Sequence, residues 1–193
     1  MKWYILVAHP KRESFTQAVC EALLQGLTEA GTTFEVNDLY ASKFNPVMGE
    51  EDFNQFTRHG RLPEDVLMEQ KRVDQAESLA LIYPVWWNEA PAILKGWLDR
   101  VLSKGWAYDI NAQGEAVPLL KLKRVVILNT AGNSPMLNET GGLNAASRLT
   151  KGLGTFEFCG VNRVDHRILD NVMADEAGRK RFLQEVKQLG RSG

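Results

Sequence analysis

The chain is short of the residues that mark a disulfide framework or a metal centre. Two cysteines and three histidines occur in 193 residues. Neither Cys20 nor Cys159 lies in a Cys-x-x-Cys pair or a Cys/His cluster, so disulfide exchange and zinc binding are not expected. Both thiols read as small buried hydrophobes. An excess of one charge is also missing: 23 Lys and Arg stand against 24 Asp and Glu, a formal net charge of −1. Without a basic stripe interleaved with aromatics, partnership with nucleic acid or an acidic membrane surface is not expected. No apolar run approaches the roughly 20 residues that span a bilayer. The opening MKWYILVAHP is too short for a signal peptide and leads directly into a strand pattern, so a soluble, cytoplasmic protein is expected. Gly-x-Gly-x-x-Gly and Gly-x-x-x-x-Gly-Lys-Ser/Thr are absent as well, which excludes the familiar dinucleotide and triphosphate loops. Repeats, low-complexity tracts and linkers are lacking, and one domain over 1–193 is expected. A chain of this size buries roughly 70% of its unfolded surface without staples.

What is present is an alternation of two periodicities. Residues 3–8 (WYILVA) form a continuous apolar run, as in a strand buried on both faces. Phe15, Ala18, Val19, Ala22, Leu23 and Leu27 follow at helical spacing, with Ser14 at the N-cap position and Gly31 beyond the end. Residues 33–39 read as a second strand, 40–61 as an irregular excursion with a short helix, and 63–76 as a helix. Strands are expected at 79–83, 124–129 and 155–161, and helices at 91–102, 143–153 and 175–189. This alternation predicts an α/β fold with a doubly wound parallel sheet. In the order 2-1-3-4-5, ligands bind beyond the carboxyl ends of the strands, between the first and third.

Three unusual loops leave the first, third and fourth strands: AHPKRESFT, YPVWWNEAP and NTAGNSP. The first offers Ser14 and Thr16 at a helix start, with His9, Lys11 and Arg12 nearby, a place suited to a phosphate. Ser14 as a plain helix cap accounts for that loop equally well. The second places Trp86 and Trp87 together at a strand–helix junction, where two fully buried rings facing different ways are not expected. At least one is expected to face a flat ligand, whereas Trp3 and Trp97 fall in apolar patterns and read as core. The third, 130–134, is small and polar, and Gly132 would let a ligand approach the backbone.

At these residues the chain resembles the NAD(P)H:quinone oxidoreductase family, the flavodoxin-like DT-diaphorases and their bacterial relatives. The resemblance covers nearly the whole chain. It rests on His9-Pro10 through Ser14-Phe15, Asp38-Leu39-Tyr40, Phe44-Asn45-Pro46, Glu69-Gln70, Pro84 to Trp87, Pro91-Ala92-Ile93-Leu94-Lys95-Gly96-Trp97, Asp99-Arg100-Val101 and Phe158-Cys159-Gly160. It implies a flavodoxin-like three-layer sandwich with helices on both faces of a five-stranded sheet. It also implies a bound flavin (FAD ahead of FMN), NAD(P)H as hydride donor, a quinone-like acceptor, and a homodimer with active sites at the subunit interface. By position, His9, Ser14, Phe15 and Thr16 would hold phosphate and ribityl groups. Pro84, Val85, Trp86, Trp87 and Asn88 would line the ring, and Thr130, Ala131 and Gly132 would contact its far edge. Trp87, Tyr108 and Leu137 would form the substrate pocket, with Tyr108 contributed across the dimer. No metal and no protein nucleophile is implied.

The sequence departs from the mammalian pattern, whose third loop is followed by a tyrosine and a histidine; the equivalent positions here are Leu137 and Leu143. His166 reads as an exposed loop residue, His59 has no assigned role, and Glu89 and the Asp99-Arg100 pair read as solvated or helix-stabilising charges. The chain stops without the long C-terminal extension of the mammalian enzymes, so their adenine-side contacts to FAD do not transfer. Two other readings follow from the resemblance: an ancillary subunit that regulates a potassium-efflux transporter in the membrane, and a single-electron carrier. Near-neutral charge and a bulky apolar site argue against the carrier.

Overall fold

The computed structural model describes residues 2–54, 60–133 and 135–192, so His59 and Ser134 lie outside the described residues, as do the side chains of Leu137 and Glu139. Five parallel strands form the sheet: β1 (Lys2–Val7), β2 (Thr33–Asp38), β3 (Ser78–Pro84), β6 (Arg124–Thr130) and β7 (Val164–Leu169), in the order β2-β1-β3-β6-β7. A hairpin of β4 (Tyr108–Ile110) and β5 (Ala116–Pro118) stands apart. Without that hairpin, the order is the expected 2-1-3-4-5.

Strand alternation divides the core in two. Tyr4, Leu6, Leu79, Leu81, Val125 and Ile127 face one layer, where α3 (Glu64–Asp74) and α4 (Ala92–Val101) pack through Val66, Leu94, Trp97 and Val101. Trp3, Ile5, Val7, Ile82, Val126 and Leu128 face the other, against α1 (Phe15–Glu29) and α6 (Glu176–Arg191). Trp3 and Trp97 are fully buried, as their patterns predict, and so are both cysteines, whose thiols burial pushes up to about 12 and about 11. Among the described residues no helix is long and apolar enough to cross a membrane.

Two expectations fail here. The fifth strand is not 155–161 but Val164–Leu169. Residues 143–157 form α5 (Leu143–Arg148) followed by a wider helical segment, Leu149–Glu157, and the chain then turns through Gly160 at φ +102°. Phe156, Cys159 and Val161 are buried from this helix-and-turn geometry, while Phe158 is exposed. The true strand, VDHRIL, is half-buried throughout because an edge strand has a neighbour on one side only. Its charged residues hide it from an apolar pattern.

Arg100 is the second correction. It is not solvated but 4% exposed. Its guanidinium donates to Asp52 at 3.0 and 3.1 Å, to Asp65 at 2.6 and 3.0 Å and to the carbonyl of Asn45 at 2.7 Å. These bonds tie α2 (Glu50–Asn54) and the preceding loop onto α3 and α4. Gly96 permits the close approach, since a Cβ there would lie 2.1 Å from the carbonyl oxygen of Pro46. Asp99 is exposed and pairs with Lys95 one turn earlier.

Candidate functional site

Backbone hydrogen bonds between neighbouring strand ends bring the loops together. Ala8 donates to the carbonyl of Ile82, Val85 to Thr130 and Ala131 to Leu169, at 2.8–2.9 Å. In the first loop, Ser14 is extended and its Oγ accepts from the Gln17 amide at 3.2 Å, so it is an N-cap. Helix geometry leaves the Phe15 and Thr16 amides without a carbonyl one turn earlier, and the first turn of α1 carries no acid. Lys11, Arg12 and Glu13 are exposed beside it; the Thr16 side chain is buried and Phe15 is half-buried. His9 Nδ1 accepts from the Lys11 amide at 3.0 Å, and its ring lies 6.3 Å from that of Trp86, joining the first and second loops.

The second loop is a two-residue hairpin. Trp86 and Glu89 exchange backbone hydrogen bonds of 2.9 and 3.0 Å around Trp87 and Asn88, whose φ angles are +50° and +63°. This is the left-handed turn that Asn-Gly usually fills. A tryptophan there is strained by about 1–3 kcal/mol, a cost that persists only where the surroundings enforce it. Trp87 is 97% exposed and Trp86 42%, so neither ring is core.

The second and third loops share a cavity of about 460 Å³ lined by Val85, Trp87, Asn88, Ala131, Gly132, Asn133 and Leu143. A Cβ at Gly132 would meet nothing within 4 Å, so that backbone faces open space. Thr130 and Ala131 are buried beside Pro84, which pairs with Thr130 across the sheet. Beyond the third loop, Asp170 accepts from Asn138 and from Asn144 at 2.9 Å, fixing that segment to the end of β7.

Tyr108 does not join this cavity. It lines a separate groove of about 590 Å³ that also holds Met48, Leu98, Leu102, Lys151 and Phe158. Its ring meets the edge of Phe158 at 5.2 Å. Phe158 carries no site role in the sequence reading, because a strand over 155–161 disguises its exposure. The pocket assignment of Leu137 rests on a side chain outside the described residues.

His166 is not in a loop. It sits on β7, with Nε2 3.2 Å from Oδ1 of the fully buried Asn129. Burial lowers its pKa to about 4, and the charges of Arg148 and Lys151 act in the same direction. His166 Nδ1 and Asn129 Nδ2 are buried without a protein partner, and burial raises the pKa of the neighbouring Tyr83 phenol. Glu89 is half-exposed, but Lys151 grips it. Burial pushes the Glu89 carboxyl up, the Lys151 ammonium pulls it further down, and the result lies below the ordinary carboxylate range. Among the described residues no cluster of His, Cys, Asp or Glu could hold a metal.

The arrangement offers helix-terminal donors for an anion, an exposed indole for a flat ring, and open backbone at Gly132 for the ring's edge. A family model described as "Flavodoxin-like fold" matches residues 1–190. The chain is 34% identical over 190 residues to an uncharacterized NAD(P)H oxidoreductase of Haemophilus influenzae, covering 97% of this chain and 93% of that protein. It is 32% identical to NAD(P)H dehydrogenase [quinone] 1 of Cavia porcellus, covering 85% of this chain and 66% of that one. The solved NAD(P)H:quinone oxidoreductase from Methanothermobacter marburgensis superimposes with a TM-score of 0.91 at 36% identity, over 100% of this chain and 96% of that one. With its sheet order, its loop positions and a match running almost from end to end, the chain belongs to the flavodoxin-like fold family.

Proposed function

We propose that the protein is a flavin-dependent NAD(P)H:quinone oxidoreductase. The observation that carries this reading is Trp87, fully exposed in a strained left-handed turn at the rim of the cavity shared by the second and third loops. Strain of this kind at a cleft is a mark of function, because packing alone does not require the ring to be displayed. The Phe15 and Thr16 amides, with Ser14, His9, Lys11 and Arg12, would hold the phosphate. Pro84, Val85, Trp86, Trp87 and Asn88 would flank the ring, and Thr130, Ala131 and Gly132 would contact its far edge. When bound, FAD or FMN would supply the two-electron chemistry, accepting hydride from NAD(P)H and delivering it to a quinone-like acceptor.

The chain's own task is to orient the rings, exclude water and place dipoles. Leu143 lines the cavity and carries no titratable group, so no acid–base role falls to that side chain. Within one chain Tyr108 lies in a different groove from Trp87, which supports its being contributed to the pocket by a second copy. The half-buried Tyr108 against the exposed Phe158, with Met48 exposed in the same groove, suits a homodimer of that kind. A cytoplasmic location, with ready access to NAD(P)H, fits this reading.

The test is to purify the protein, extract its cofactor and identify it by mass. A yellow protein that releases FAD or FMN and is bleached by NAD(P)H supports the proposal. A colourless protein that takes up neither would end it.

A further inference from the structure

Lys151 is a costly residue to bury. Its residue is 5% exposed, on the wide helical segment Leu149–Glu157, and its Nζ lies 2.7 Å from both carboxylate oxygens of Glu89. Its other polar contact is Thr150 Oγ1 at 3.5 Å. An ammonium stripped of water is stable only with close, well-aligned partners, so the position of Lys151 dictates the position of Glu89.

Glu89 is the residue that closes the Trp86–Glu89 hairpin. Its backbone makes both cross-turn hydrogen bonds, and its Oε2 also accepts from the Ala90 amide at 3.2 Å. Trp87 and Asn88, between those bonds, hold left-handed backbone that asparagine tolerates but tryptophan rarely adopts unconstrained. The hairpin bonds act from within the turn, whereas the Lys151 contact ties it to an element 62 residues further along the chain. That element leads into Phe158 and lines the Tyr108 groove. Lys95, also near Glu89, is about half exposed and already engaged by Asp99.

We propose that Lys151 is a positioning residue: by gripping the Glu89 carboxylate it holds the left-handed turn and so fixes the ring of Trp87. The consequence for turnover rests on the reading of Trp87 as a wall of the reaction pocket; the clamp itself does not.

The test uses the flavin-loaded protein labelled with 5-fluorotryptophan, read by ¹⁹F NMR, with the Trp87 signal identified by its loss in Trp87→Phe. In Lys151→Met the Trp87 signal is expected to shift and broaden while those of Trp3 and Trp97 stay in place. The KM for a soluble quinone should rise about tenfold, with kcat within about twofold. Exchanging the pair, Glu89→Lys with Lys151→Glu, should return both readouts toward the parent. An unmoved Trp87 signal in folded Lys151→Met overturns the proposal, and so does a displaced signal that the exchanged pair leaves displaced. If Lys151→Met does not fold, Glu89→Gln reads the same signal with the acceptor's shape kept and its charge removed. A moved signal with KM unchanged in both Lys151→Met and Trp87→Ala supports the clamp and removes Trp87 from the pocket.

Discussion

Trp87 and Trp97 lie on either side of the β3–α4 junction and have opposite environments. Trp97 is fully buried in the apolar stripe of α4, and its Nε1 donates to Glu69 Oε2 at 2.7 Å. Glu69 is buried as well and also accepts from Tyr4 at 2.6 Å and from Asn37 at 3.1 Å. Trp87 is 97% exposed, in a turn that opposes its own backbone preference. One indole contributes area and a satisfied hydrogen bond to the core, and the other is held out at the expense of local stability. The contrast shows how a single strand–helix unit separates stability from function: the helical stripe carries the first, and the turn preceding it carries the second.

The sharpest way to break the contrast is Trp97→Ala, which removes a large buried ring and a donor to a buried carboxylate. We expect a loss of about 3–5 kcal/mol in urea unfolding, enough to leave little folded protein. The polar patch around His166 and Asn129 gives the next effect. His166 has a folded pKa of about 4 against an unfolded value near 6.5, so the unfolded chain takes up the proton first. Its contribution to stability is complete above pH 6.5 and is lost as the pH falls toward 4, by up to about 3 kcal/mol. Urea midpoints across this range should fall steeply, and more gently in His166→Gln; parallel curves would remove His166 as the cause. Trp87→Ala should leave thermal unfolding nearly unchanged but lower kcat/KM for a quinone about tenfold, or about 1.4 kcal/mol. Undiminished turnover would take the ring out of the pocket. The smallest effect is the most diagnostic of strain: Trp87→Gly, with glycine free to adopt positive φ, should raise stability by about 1 kcal/mol in the same unfolding assay.

Readability along the chain followed local apolar patterning, and β2 was legible although it too is an edge strand. β1, β3 and β6 were evident as apolar runs because each is buried on both faces between two neighbours. β7 escaped because an edge strand tolerates Asp165, His166 and Arg167, and the apolar spacing of 156–161 imitated the missing strand. Of the site, the three loops were legible from their composition, and the structure brings the second and third around one cavity, with His9 reaching Trp86 from the first. Arg100 and Glu89 read as solvated charges because their partners are remote: Asp52 is 48 residues from Arg100, and Lys151 is 62 from Glu89.

The sequence by itself determined the alternation of strand and helix, the parallel sheet and the loops that carry unusual residues. These follow from local periodicity and from the rule that ligands gather where parallel strands end. Tertiary structure alone decided which charges are buried, that Trp87 stands in a left-handed turn, and that Tyr108 faces a different groove from Trp87 in one copy of the chain. The physical reason is that burial and strain are properties of the whole assembly. A charge is cheap or costly, and a backbone angle tolerable or not, according to groups that the chain supplies from dozens of residues away.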